Sequence, residues 1–172
     1  TKAVPKEMLP VVDRPLLQYA VDEALAAGIE QMIFVTARGK GALEEYFDVA
    51  GELVATLKER GKAAELKVLD ETQLEPGRIA YVRQQEPAGL GHAVWCARHI
   101  TGDEPFAVLL PDELLWNPAD PCLAQMVRAR EAVGGTVIAV MEVPEAETHR
   151  YGIVDPGPAD GALTEVKGFV EK

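Results

Sequence analysis

The sequence predicts an α/β domain in which a mainly parallel central sheet is covered by helices on both faces, making three layers. Short β-branched and aromatic runs alternate with helical patterns along the chain. The runs "FAVLL" (106–110) and "TVIAVM" (136–141) are apolar at nearly every position, as strands buried on both faces are. With 172 residues, 48% of them hydrophobic, the chain is long and apolar enough for one sizeable core.

The opening segment "PKEMLPVVDRPLL" (5–17) carries too many prolines for a helix and too many apolar residues for a surface loop. Met8, Leu9, Val11 and Val12 are therefore expected to be buried, with Lys6 held close to that buried ground. From Pro15, "PLLQYAVDEALAAGI" places Leu17, Val21, Ala24 and Leu25 on one helical face, with Pro15 suited to the first turn and Gly28 to the stop. "QMIFVT" (31–36) follows as a strand. Residues 42–75 form a charged helical excursion on the rim of the sheet, interrupted at Gly51 and Gly61 and closed by Pro76 and Gly77. Next come strand "IAYVR" (79–83), helix "GHAVWCARH" (91–99), strand 106–110, helix 121–133 and strand "TVIAVMEV" (136–143). "YGIVD" and "LTEVKGFVE" read as a final strand pair around a Pro and Gly turn.

The charge balance is 17 Lys and Arg against 28 Asp and Glu, a net −11, which repels nucleic-acid backbones and anionic lipid. A phosphorylated ligand then needs a local group of cations or a metal. No apolar run approaches the roughly 20 residues of a membrane span. Cys96 and Cys122 are too few and too far apart for a zinc motif and suit a reducing, cytoplasmic setting. The chain has no serine, and His92, His99 and His149 stand apart from one another, in packing or surface roles, so covalent catalysis has no strong candidate.

In parallel sheets ligands sit at the carboxyl ends of strands, so the residues just after each strand are the ones to question. Asp112, after "FAVLLP", is a hard-oxygen ligand suited to Mg2+, or equally a cap of the turn that follows. Gln84 opens "QQEPAGLGHAV", where Gly89 and Gly91 let a backbone approach a flat or anionic group closely. "GLGHAV" also partly matches a dinucleotide fingerprint, but Val94 stands at the third glycine and Gln84 to Ala88 separate the strand from the first. Glu171 and Lys172 end an apolar run: at a ligand edge they would meet hydroxyls and a phosphate, and otherwise they form a solvated strand end.

Five blocks in order, "TKAVPKEMLPVVDRPLLQY", "VRQ" with "GLGHAV", "DEPFAVLLPD", "YGIVD" and "VEK", resemble the sugar nucleotidyltransferases, and within them the branch acting on UTP and glucose 1-phosphate. The resemblance implies a Rossmann-like nucleotidyltransferase fold over residues 1–172, with 42–75 as a helical insert. It implies that Lys6 binds the nucleotide phosphates, Asp112 binds Mg2+, and Gln84 and the backbone at Gly89 contact the uracil. Gly152 and Glu171 would meet the sugar hydroxyls, and Lys172 the sugar phosphate or α-phosphate, with Lys6 and Lys172 as the catalytic cations. The implied partners are UTP, glucose 1-phosphate, UDP-glucose and pyrophosphate, with homo-oligomerisation in the full-length protein. The family also has an opening strand with a glycine-rich "GxGTRxxP"-type loop, and a second metal-binding aspartate, which are expected before Thr1 and beyond Lys172. Rival readings are a sister enzyme using dTTP, an NAD-binding protein built on "GLGHAV", and a noncatalytic nucleotide-sugar binder.

Overall fold

The computed structural model describes residues 4–170. They fall into two compact units, one running to Pro121 and the other starting at Cys122.

In the first unit, a 3-10 turn Lys6–Met8 leads into a short hairpin of strands β1 (Pro10–Val11) and β2 (Arg14–Pro15). Helix α1 (Leu16–Ala26) follows, with Pro15 at its N-cap at φ −66°. Leu17, Val21 and Ala24 of its apolar stripe are buried. Gly28, at φ +83°, ends it: its N–H donates to the Leu25 carbonyl while the Ile29 N–H reaches back to Ala24, closing the helix with a left-handed glycine. Strand β3 (Met32–Thr36) then pairs in parallel with β4 (Ile79–Arg83), from Met32 opposite Ile79 to Thr36 opposite Arg83.

Between them lie helices α2 (Gly41–Phe47), α3 (Gly51–Glu59) and α4 (Ala63–Thr72). Phe47 of α2 is buried and stacks on Phe34, which stacks in turn on Tyr81, so aromatic rings tie α2 to the sheet. Helices α3 and α4 bury none of their residues and pack on one another, the behaviour expected of a solvated excursion. Helices α5 (Leu90–Cys96) and α6 (Arg98–Thr101) follow β4.

The second unit contains helix α7 (Cys122–Val133), a 3-10 segment Glu145–Arg150 and an antiparallel hairpin of β5 (Ile153–Asp160) and β6 (Leu163–Val170). The hairpin register shifts around Pro156, where Pro156 and Pro158 have no N–H to give the ladder.

Two local expectations differ from the structure. Residues 106–110 and 136–143 carry no strand ladder, and Phe106, Val108, Val140 and Met141 are each at least half exposed. An apolar run records that a segment can be buried on both faces; ladder formation also requires a paired neighbour on an edge, and none is paired with these runs among the described residues. The opening segment also behaves differently. Leu9 is 43% and Val12 95% exposed, while the buried residue is Glu7. Val12 lies at the hairpin tip with φ +62°, so the turn carries its side chain out into solvent.

Candidate functional site

The Lys6–Met8 turn is closed by backbone hydrogen bonds from Met8 to Pro5 (3.0 Å) and from Leu9 to Lys6 (3.1 Å). Asp112 is presented by another turn: the Glu113 N–H donates to the Leu110 carbonyl at 3.0 Å, with Pro111 and Asp112 as the central residues. These two turns, 106 residues apart in the chain, meet where Lys6 Nζ donates to Asp112 Oδ2 at 2.6 Å. Both side chains remain about half exposed. Hydrogen bonding to Asp112 pushes the Lys6 ammonium above its ordinary range, and the same bond holds the Asp112 carboxyl below its own. Both groups are thus charged at neutral pH, and a cation and a hard-oxygen anion stand side by side. Among the described residues no helix begins directly after Asp112, which lies within the turn itself.

Gln84 follows directly on β4, and its backbone N–H donates to the Thr36 carbonyl at 2.8 Å, locking it to the carboxyl end of β3. From there its side-chain amide donates to the Gly89 carbonyl at 3.0 Å and meets His92 Nδ1 at 3.1 Å. Gly89, at φ +94° and ψ 176°, is the N-cap of α5, a conformation open essentially to glycine alone. His92 also stacks on Trp95, consistent with a packing role. Gly91 lies inside the helix and β4 ends at Arg83, six residues before Gly89, so the tight strand-to-helix turn of a dinucleotide fingerprint does not form.

Sequence reasoning missed a second ion pair beside Lys6. Lys40, in the segment after β3, donates to Glu7 Oε1. Glu7 Oε2 is buried without a hydrogen-bond partner. Burial pushes the Glu7 carboxyl up, but the hydrogen bond from Lys40, a backbone hydrogen bond and the charges of Lys40 and Lys6 together hold it below the ordinary range. The rule of questioning residues beyond each strand would have found Lys40; nothing local marks Glu7.

Lys6 and Asp112 are therefore brought together, as are Gln84 and Gly89. Gly152 is exposed and immediately precedes β5 in the other unit, while Glu171 and Lys172 lie outside the described residues. Among the described residues no three His, Cys, Asp or Glu gather to hold a metal. Asp112 alone still suits Mg2+, which often takes one or two protein carboxylates and draws its other ligands from phosphates and water. A cavity of about 410 Å³ lies where Arg14, Tyr19 and Asp22 face Leu115 and Trp116, and no sequence-predicted site residue lines it. No helix among the described residues is long and apolar enough to cross a membrane.

A sequence model of the family described as nucleotidyl transferase matches residues 1–172. The chain belongs to the nucleotidyl transferase family. This nucleotidyl transferase chain is 51% identical over 172 residues to a UTP--glucose-1-phosphate uridylyltransferase of Komagataeibacter xylinus, and 51% identical over 173 residues to one of Bacillus subtilis (strain 168). All of the chain is covered in both cases, and it spans 60% and 58% of those relatives' lengths. Among solved structures it resembles a UTP-bound UGPase from Acinetobacter baumannii, with TM-score 0.91 and 40% identity over 99% of this chain and 61% of that one. A UDP-glucose pyrophosphorylase complexed with UDP-glucose gives TM-score 0.86 at 39% identity, over 99% of this chain and 62% of that one. The α/β nucleotidyltransferase fold expected from the sequence is thus the fold of its solved neighbours.

Proposed function

We propose that the protein to which this chain belongs transfers a uridylyl group from UTP to α-D-glucose 1-phosphate, giving UDP-glucose and pyrophosphate. The observation that carries this reading is the 2.6 Å contact between Lys6 and Asp112, a cation suited to a phosphate beside an anion suited to a metal. The names and ligands of the relatives support the choice of UTP and glucose.

The attacking phosphate oxygen of glucose 1-phosphate is already an anion, so no general base is required. The protein's task is to align two polyanions and offset their repulsion. Lys6 would contact the nucleotide phosphates, and Gln84 with the Gly89 backbone would read the uracil edge. Gly152 and Glu171 would hold the sugar hydroxyls, and Lys172 would meet the sugar phosphate or α-phosphate. Asp112 would hold Mg2+, which supplies Lewis-acid charge neutralisation at the phosphates. On this reading residues 1–172 belong to one catalytic domain, with 42–75 as its helical insert, in a cytoplasmic, homo-oligomeric enzyme. The match of the family model throughout these residues supports their belonging to one domain.

The test is Asp112→Asn in the full-length protein, assayed as Mg2+-dependent pyrophosphate release from UTP and glucose 1-phosphate. Turnover is expected to fall by at least about a hundredfold, with the fold intact because the Lys6 pair is exposed. Wild-type turnover in this variant would remove Asp112 from the reaction.

A further inference from the structure

We infer that Glu7 is a positioning residue for the Lys6–Asp112 pair: its buried carboxylate, gripped by Lys40, fixes the Lys6–Met8 turn so that the neighbouring ammonium is aimed at Asp112. The inference rests on the proposed role of Lys6 as a phosphate ligand.

Glu7 and Lys6 are consecutive residues of a 3-10 turn, where successive side chains point about 120° apart. Fixing one therefore sets the direction of the other. The Glu7 side chain is 11% exposed and that of Lys6 56%, so one faces in and the other out. Leu9 and Val12 are exposed and Met8 and Val11 only partly buried, so no fully buried apolar side chain anchors this segment. Lys40, which comes from the segment that leaves β3 at its carboxyl end, holds the buried side chain of this turn. A buried carboxylate with one oxygen unpartnered is a costly anchor compared with a leucine. Its return is directional: an ion pair specifies an orientation, whereas an apolar contact can slide.

The test is steady-state pyrophosphate release by the full-length protein, with UTP, glucose 1-phosphate and Mg2+, for Glu7→Gln, Lys6→Ala and the two combined. Glu7→Gln is expected to lower kcat about tenfold, the scale of a slightly misplaced group, while the KM for UTP moves less than about threefold. In the Lys6→Ala background the same change is expected to cost less than about twofold, because the group it aims has gone. Glu7→Gln/Lys40→Met removes both charges together and provides the same comparison if the single variant folds poorly. Multiplicative losses with Lys6→Ala, or an unchanged kcat in Glu7→Gln, would overturn the inference while leaving the proposed function standing. A wild-type rate in Lys6→Ala itself would instead overturn the role of Lys6, and the aiming of Lys6 with it.

Discussion

Replacing Lys40 by Met would keep the apolar stem of the side chain and remove only its charge, leaving the buried Glu7 carboxylate without the ammonium that compensates it. Breaking a fully buried pair costs about 3–5 kcal/mol and breaking an exposed one about 0–1. The Glu7 side chain is 11% exposed and that of Lys40 34%, so this pair lies between those limits. A loss of about 2–3 kcal/mol at pH 7 follows, or roughly 4–12 °C in Tm for a chain of this size. The loss has a sign in pH. In the native chain the Glu7 carboxyl is held below 4.5, so the pair's contribution is present above pH 4.5 and fades as pH falls through the folded value. Without Lys40, burial pushes the carboxyl up, and the penalty grows as pH rises above 4.5. Urea unfolding followed by tryptophan fluorescence suits the measurement, because Trp95 and Trp116 both lie in the unit that contains Glu7. The wild-type and variant curves should stand well apart at pH 7 and draw together at a second, acid pH below the ordinary Glu range. A gap below about 0.5 kcal/mol at pH 7, the range of an ordinary surface change, or one that is the same at both pH values, would refute the reasoning.

Two other substitutions probe the frame and the proposed base contact at Gly89. Phe47→Ala removes a buried ring whose centroid lies 5.2 Å from that of Phe34, and should cost about 3–5 kcal/mol in the same urea assay; a loss under about 1 kcal/mol would mean the aromatic stack does not hold α2. Gly89→Ala meets no atom within 4 Å, so its cost is backbone strain at φ +94°, about 1–3 kcal/mol. Isothermal titration of the full-length protein with UTP should also show weaker binding for Gly89→Ala, and unchanged affinity would argue against base contact at this backbone.

Local pattern was enough for the elements that satisfy themselves locally. The α1 stripe and its Gly28 stop were legible because a helix makes its own hydrogen bonds, and strand 79–83 was read to the residue. Runs 106–110 and 136–143 were legible as apolar but not as strands in a ladder, because pairing depends on a neighbour that the run itself does not specify. The opening segment misled for a related reason: its hydrophobicity suggested that Val12 was buried, whereas the hairpin turn decided where Val12 points. Gln84 with Gly89 could be anticipated as a site because only five residues separate them. Lys6 with Asp112 became a pair only through the fold, and so did Glu7 with Lys40, 33 residues apart, where only the position of Lys40 beyond a strand was a local sign.

The contact between Lys6 and Asp112 also bears on how a ligand enters. At rest the two charges neutralise each other, so neither depends on solvent alone for compensation. On the proposed function, the arriving nucleotide is itself an ion pair, a polyphosphate anion carrying a divalent cation. Binding is then an exchange of partners, salt for salt: the ammonium passes from carboxylate to phosphate as the carboxylate passes from ammonium to metal. Such an exchange would leave both resident charges compensated while the nucleotide adds its own surplus of negative charge, so in a chain of net charge −11 a cation already standing at the site is what makes room for it.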